Sequence, residues 1–187
     1  MRMLTALCFV LICLPANAQD SRIKIADIAK GSSVTFLMSN NIRTTHHFEG
    51  PVDEGYLVTF WKGRGKGLDG GIMANGIFNA DGRMVRYSPA RGTPVTYTPH
   101  NCLRVVGTCR YTATSKEGRT RRFGRTWTPE KNGGYKFRFF EIKGDVEATL
   151  ASVQVTLDDM GMMQTLDVEE DGNGKWPSMK QEHADYR

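Results

Sequence analysis

Histidine and cysteine are scarce in this chain, and their scarcity excludes much of the chemistry that a protein of its size could carry. Four histidines and four cysteines are spread over 187 residues. None of the histidines stands in metal-ligand spacing. His46 and His47 are adjacent, so in an extended segment they point to opposite sides, while His100 and His183 are isolated. The hydrolytic motifs G-x-S-x-G, H-E-x-x-H and S-x-x-K are absent. The glycine-rich stretch WKGRGKGLDGG (61–71) is not a P-loop, because Lys66 is followed by Gly67 rather than by Ser or Thr. These absences predict a protein without metal or cofactor and point away from an enzyme. Carboxylates such as Glu49, Asp53, Glu54 and Asp69 leave open a hydrolytic site assembled from distant positions.

Long apolar runs are also lacking, with one exception at the start. MRMLTALCFVLICLPANA (1–18) has a basic residue at Arg2, an apolar run from Met3 to Leu14, and then Pro15 and Ala16-Asn17-Ala18. A charged end, a short apolar core and small residues before the cut form the pattern of a secretory signal cleaved before Gln19. The run is well short of the roughly 20 residues a membrane-spanning helix needs. Leu7 before Cys8 and Ile12 before Cys13 disfavour a lipoprotein, which needs a small residue there. The expected location is periplasmic or secreted. With no later apolar run, the mature chain is read as soluble or in peripheral contact with a membrane.

Cys8 and Cys13 leave with the signal, so Cys102 and Cys109 in NCLRVVGTC (101–109) are the only cysteines of the exported chain. In an oxidising compartment such a pair predicts a disulfide stapling one hairpin. Zinc would need about four ligands, and C-x-x-C redox chemistry a shorter spacing.

The rest reads as strands. SRIKIADIAKG predicts a short helix with Ser21 as N-cap, within a lead-in over 19–32. Segments 33–38, 56–61, 72–80, 83–87, 95–98, 103–114, 119–128, 135–142, 146–157 and 164–169 are rich in β-branched and aromatic residues. Asp81-Gly82 suits a two-residue type I′ turn, Lys116-Glu117-Gly118 a three-residue loop, Lys131-Asn132-Gly133-Gly134 a four-residue loop, and Lys143-Gly144-Asp145 a short reversal. Consecutive hairpins imply an antiparallel meander. In VEATLASVQVTL the apolar phase switches between Leu150 and Val153, which predicts a bulge near Ala151 and Ser152. The expectation is a mainly β single domain over 33–170, forming a closed or nearly closed barrel, with a two-sheet sandwich as the alternative. Residues 171–187, polar and with Gly172, Gly174 and Pro177, are expected to be a flexible tail.

Three groups of residues are candidates for binding. Arg64 and Lys66, interleaved with glycines, suit an anion. In RTRRFGRTW (119–127), Arg119, Arg121, Phe123, Arg125 and Trp127 share one face of a strand, with Arg122 opposite, so guanidinium and aromatic planes stand side by side. In YKFRFFEI, Tyr135, Phe137 and Phe139 share a face and are candidates for contacts inside a barrel. The competing structural interpretation makes Phe123 and Trp127 core residues whose arginine neighbours reach out to water.

The functional expectation is an exported, non-enzymatic barrel binding an amphipathic or anionic ligand or envelope component. The net charge of +5 permits anionic partners, and nucleic acid is set aside because of export. Two alternatives stand beside it: a protein-interaction or inhibitor module using the loop around Leu103, Val105 and Val106, and a hydrolase of envelope polymers.

Overall fold

The computed structural model describes residues 25–63, 70–101, 106–131, 133–159, 161–171 and 177–187. The expected signal segment (1–18), Ser21, Arg64, Lys66, Cys102, Leu103 and Val105 lie outside these residues. Twelve antiparallel strands follow one another as a meander and close into a barrel, so the barrel expectation holds and the sandwich is excluded. They are β1 (Ser33–Met38), β2 (Arg43–Val52), β3 (Gly55–Lys62), β4 (Ile72–Phe78), β5 (Met84–Pro89) and β6 (Val95–Asn101). The second half comprises β7 (Gly107–Ser115), β8 (Thr120–Pro129), β9 (Tyr135–Lys143), β10 (Val146–Leu157), β11 (Met163–Asp171) and β12 (Met179–Asp185).

Alternation along the strands decides what lies inside. Val34 and Phe36 of β1, Phe48 of β2, Val58 of β3 and Phe78 of β4 form one buried cluster, together with Met162 from the β10–β11 connection. In a closed barrel the shielded side of the sheet is the interior, so this buried face is the inner one. A second cluster, Trp127, Phe137, Ala151, Val153, Val155 and Leu166, fills the interior beside β8 to β11.

Because each strand reverses the last, the β1–β2, β3–β4, β5–β6, β7–β8 and β9–β10 connections share one rim, here the upper, and the connections between them share the lower. Ile25, Tyr56, Phe78, Met84, Met162 and Tyr186 gather toward the lower rim and plug it.

Several local expectations are corrected by long-range pairing. Among the described residues the lead-in holds only a 3-10 turn at Ile25–Asp27, not a helix of two or three turns. The chain leaves helical geometry early because Gly31 N–H donates to the Phe48 carbonyl and Phe48 N–H to that of Ser32. Extending the sheet satisfies these groups where another helical turn would have to give up both bonds.

The expected tail is corrected too. Residues 179–185 form β12, which pairs with β1 from Ser33↔Asp185 to Met38↔Met179 and with β11 at Thr165↔Lys180 and Leu166↔Met179. Arg43 fixes it with two bonds to Glu182, Nε to Oε2 at 2.6 Å and Nη2 to Oε1 at 2.7 Å. Closing the barrel removes two open edges that a chain ending at β11 would expose.

The Asp81-Gly82 turn is a three-residue loop rather than a two-residue one. Asn79 N–H donates to Arg83 O, and Gly82 N–H to Asn79 O. Only Gly82 has a positive φ, +75°, whereas a type I′ turn needs two such residues. Glu130–Gly134 closes in the same way, with Gly133 N–H donating to Glu130 O, so the four-residue reading there is also one residue too long. Ser115–Arg119 has the three-residue form expected of it.

The β10 irregularity falls where the sequence places it. Its register shifts against β9 between Thr149 and Ala151, and against β11 between Ser152 and Val153. The slip turns Ala151, Val153 and Val155 inward together. On the outer face, Gly124 of β8 leaves room for the ring of Phe140, which is fully buried there and covered by the Arg138 guanidinium at 4.7 Å from its centroid.

Candidate functional site

The interior is packed below but open above along β6 to β9. There the inner faces of four adjacent strands border a cavity of about 390 Å³ lined by Tyr97, Tyr111, Phe123, Phe139 and Arg125, with Ser115, Arg119 and Arg121 toward the top. Ser115 and Arg119 flank the β7–β8 turn, so the mouth is at the upper rim.

Register builds this wall. Tyr97 lies opposite Ala113, Ala113 opposite Arg121, Tyr111 opposite Phe123, and Arg125 opposite both Cys109 and Phe139. Directly opposed residues project to the same side of a sheet, so all of these face inward. The rings touch in sequence: Tyr97 on Tyr111 at 5.6 Å, Tyr111 on Phe123 at 6.0 Å, and Phe123 stacked on Phe139 at 5.5 Å.

The three inward arginines differ in their neutralisation. Arg119, at the rim, lies 3.6 Å from Glu117, and both are exposed. Arg121 donates from Nε to Glu141 Oε1 at 2.8 Å. That bond and its charge hold the Glu141 carboxyl below its usual range and raise the Arg121 guanidinium, so the pair stays ionised and mutually satisfied. Arg125 is half-buried and has no carboxylate partner among the described residues. Its Nε donates to the Tyr111 hydroxyl at 3.1 Å, and its guanidinium carbon lies 5.7, 5.5 and 5.3 Å from the Tyr111, Phe137 and Phe139 centroids. The site therefore holds a cation caged by aromatic rings in the wall of the cavity.

Tyr97 stands close enough to Arg125 to feel its charge, yet burial pushes its phenol up to about 12, with the neighbouring Tyr111 adding to the shift. It is a neutral hydrogen-bond donor at physiological pH. Since the folded value lies above the ordinary 10.0, this group's contribution to stability is complete below pH 10 and is lost as pH rises toward about 12. Tyr97→Phe is expected to remove one late-titrating phenol from the absorbance titration and to flatten the loss of stability over that window. Superimposable curves for the two proteins would contradict this placement.

The structure brings residues from two of the candidate groups to one place. Arg119, Arg121 and Arg125 share a cavity with Phe139, the residue assigned to the interior. Arg122 does not join them, since it faces outward opposite Thr112 and Ile142. Trp127 and Phe137 are buried in the core below the cavity, with Tyr135 packed against them, so they support the site rather than line it. Tyr97 and Tyr111 were missed, although each is the one aromatic residue of its strand. His46 and His47 do point apart, His46 packing between Phe36 and Phe60 inside, tilted on the first and edge-on to the second, and His47 facing Glu49 at 3.7 Å.

Among the described residues no three His, Cys, Asp or Glu side chains come together as metal ligands, and no helix is long and apolar enough to cross a membrane. Comparison of the chain with protein families, with curated proteins and with solved structures finds no match.

Proposed function

We propose that this protein is an exported, non-enzymatic β-barrel that binds an amphipathic anion in the cavity between β6 and β9. The observation that carries the reading is Arg125, a guanidinium without a carboxylate partner among the described residues, set in the aromatic wall of an open cavity. A half-buried cation held by rings and one phenol gains most from an anion that brings its own apolar body. Acid–base hydrolysis has no support at this place, because among the described residues the lining contains no carboxylate and no histidine.

Export follows from the N-terminal segment, with the periplasm or the medium as destination. On this reading Cys102 and Cys109 form a disulfide across the β6–β7 connection. Cys109 is register partner to Arg125, so the staple would brace the strand behind the caged cation. Closing so short a loop contributes about 2.5 kcal/mol by the chain-entropy estimate.

The test is calorimetric titration of dodecanoate into residues 19–187. One molecule per chain is expected, with a dissociation constant on the order of micromolar. No saturable binding, with the protein folded by circular dichroism, would refute the proposal.

A further inference from the structure

We infer that the ligand enters this cavity head first: its anionic group is held at the floor by Arg125, and its apolar body extends upward past Phe123 toward the mouth. This rests on the cavity being the binding site. The usual expectation for an amphiphile in a barrel is the reverse, with the tail buried and the head left at the basic rim.

Depth along β8 argues for inversion. Arg121, Phe123 and Arg125 are successive inward residues of one strand, so at about 3.3 Å per residue Arg125 lies roughly 13 Å along the strand from Arg121. Below Arg125 the cavity ends on the packed cluster of Trp127, Phe137, Val153 and Val155.

Charge argues the same way. The rim cations already have partners, Glu117 for Arg119 and Glu141 for Arg121, whereas the floor cation has none among the described residues. An anion at the rim would compete with an existing carboxylate in water, where exposed pairs contribute little. At the floor it would meet a guanidinium that has no carboxylate partner among the described residues and that rings and the Tyr111 phenol surround. Apolar surface also continues up the wall, through Phe123, Ala113 and Val95, to the mouth. A tail pointing upward therefore still contacts protein.

The chemistry assigned is a single compact anionic head, carboxylate or phosphate, on an apolar body. The head can belong to a free amphiphile or to a lipid presented from a bilayer, and these sources are separable experimentally.

The experiment compares dodecanoate, dodecanol and dodecylamine on the wild-type chain, Arg125→Met and Arg121→Met, each at 0.05 and 0.5 M salt. Head-first entry predicts that Arg125→Met loses the preference for dodecanoate over dodecanol by about 10- to 100-fold, with dodecanol binding kept. It also predicts that Arg121→Met changes the preference less than threefold, and that the wild-type preference depends weakly on salt, since buried pairs are poorly screened. Loss in Arg121→Met with Arg125→Met unchanged, together with a steep salt dependence, would place the head at the rim and overturn the inference. Absence of dodecanoate and dodecanol binding in the wild type would instead remove the cavity as a binding site. Kept dodecanol binding in Arg125→Met shows that the variant is folded.

For the source, phosphatidylglycerol vesicles are co-sedimented with wild type and Arg125→Met. Retention that depends on Arg125 assigns a bilayer lipid headgroup. No retention, alongside dodecanoate binding that depends on Arg125, assigns a free amphiphile.

Discussion

A chain truncated after Ser178 is expected to lose its cooperative thermal transition and to elute as soluble aggregate. The deletion removes β12 and with it the ladder to β1, the two Arg43–Glu182 bonds at 2.6 and 2.7 Å, and the Tyr186 hydroxyl bond to Asp158 at 2.7 Å. It also exposes the edges of β1 and β11, each a row of unpaired N–H and C=O groups. The interior suffers as well, because Tyr186 and Ala184 pack on the lower-rim cluster. Circular dichroism melts and size-exclusion profiles of the two chains decide the matter. A truncated protein that melts cooperatively within a few degrees of the full chain would show that residues 179–187 are the dispensable tail their composition suggests.

The second large effect belongs to the interior. Phe36→Ala should destabilise the barrel by about 3–5 kcal/mol, through the lost transfer energy of the ring and the hole it leaves. Phe36 is 1% exposed and packs at a tilt on His46 at 4.8 Å, in a cluster that joins β1–β4 to the β10–β11 connection. Neighbours fixed by sheet pairing on both sides cannot collapse far into the space. In a domain of this length the loss corresponds to a fall in melting temperature of roughly 6–20 °C. Urea midpoints with an unchanged slope would measure it, and a shift below 1 kcal/mol would mean that the clusters do not carry the fold.

Much of the barrel was legible because it is written in alternation and turn chemistry. YKFRFFEI gives β9 and its inward face directly, and the phase switch in VEATLASVQVTL locates the β10 bulge. What escaped is what closure imposes from afar. β2 contains Gly50 and Pro51, and β12 reads MKQEHAD without one β-branched or aromatic residue, so neither advertises a strand. Both exist because their neighbours need partners, a demand local propensity does not encode. The helical lead-in failed for the same reason, its turns giving way to bonds with Phe48.

The site was half visible. The shared face of Arg119, Arg121, Phe123 and Arg125 follows from a period of two, and the structure brings these residues together. Their convergence with Phe139, Tyr97 and Tyr111 depends on register across four strands, which no single stretch of sequence states. Nor does spacing reveal which arginine is neutralised. Arg121 and Arg125 look alike in RTRRFGRTW, and only the pairing of β8 with β9 puts Glu141 beside the first and aromatic rings around the second.

The most direct test of the central claim is native mass spectrometry of the mature protein purified from an exporting host, for the wild type and Arg125→Met side by side. The account predicts a wild-type peak carrying an additional mass that is released on denaturation and detected in negative-ion mode, together with a bare peak for Arg125→Met. A folded wild-type chain that stays bare even after incubation with dodecanoate would contradict a ligand-binding cavity.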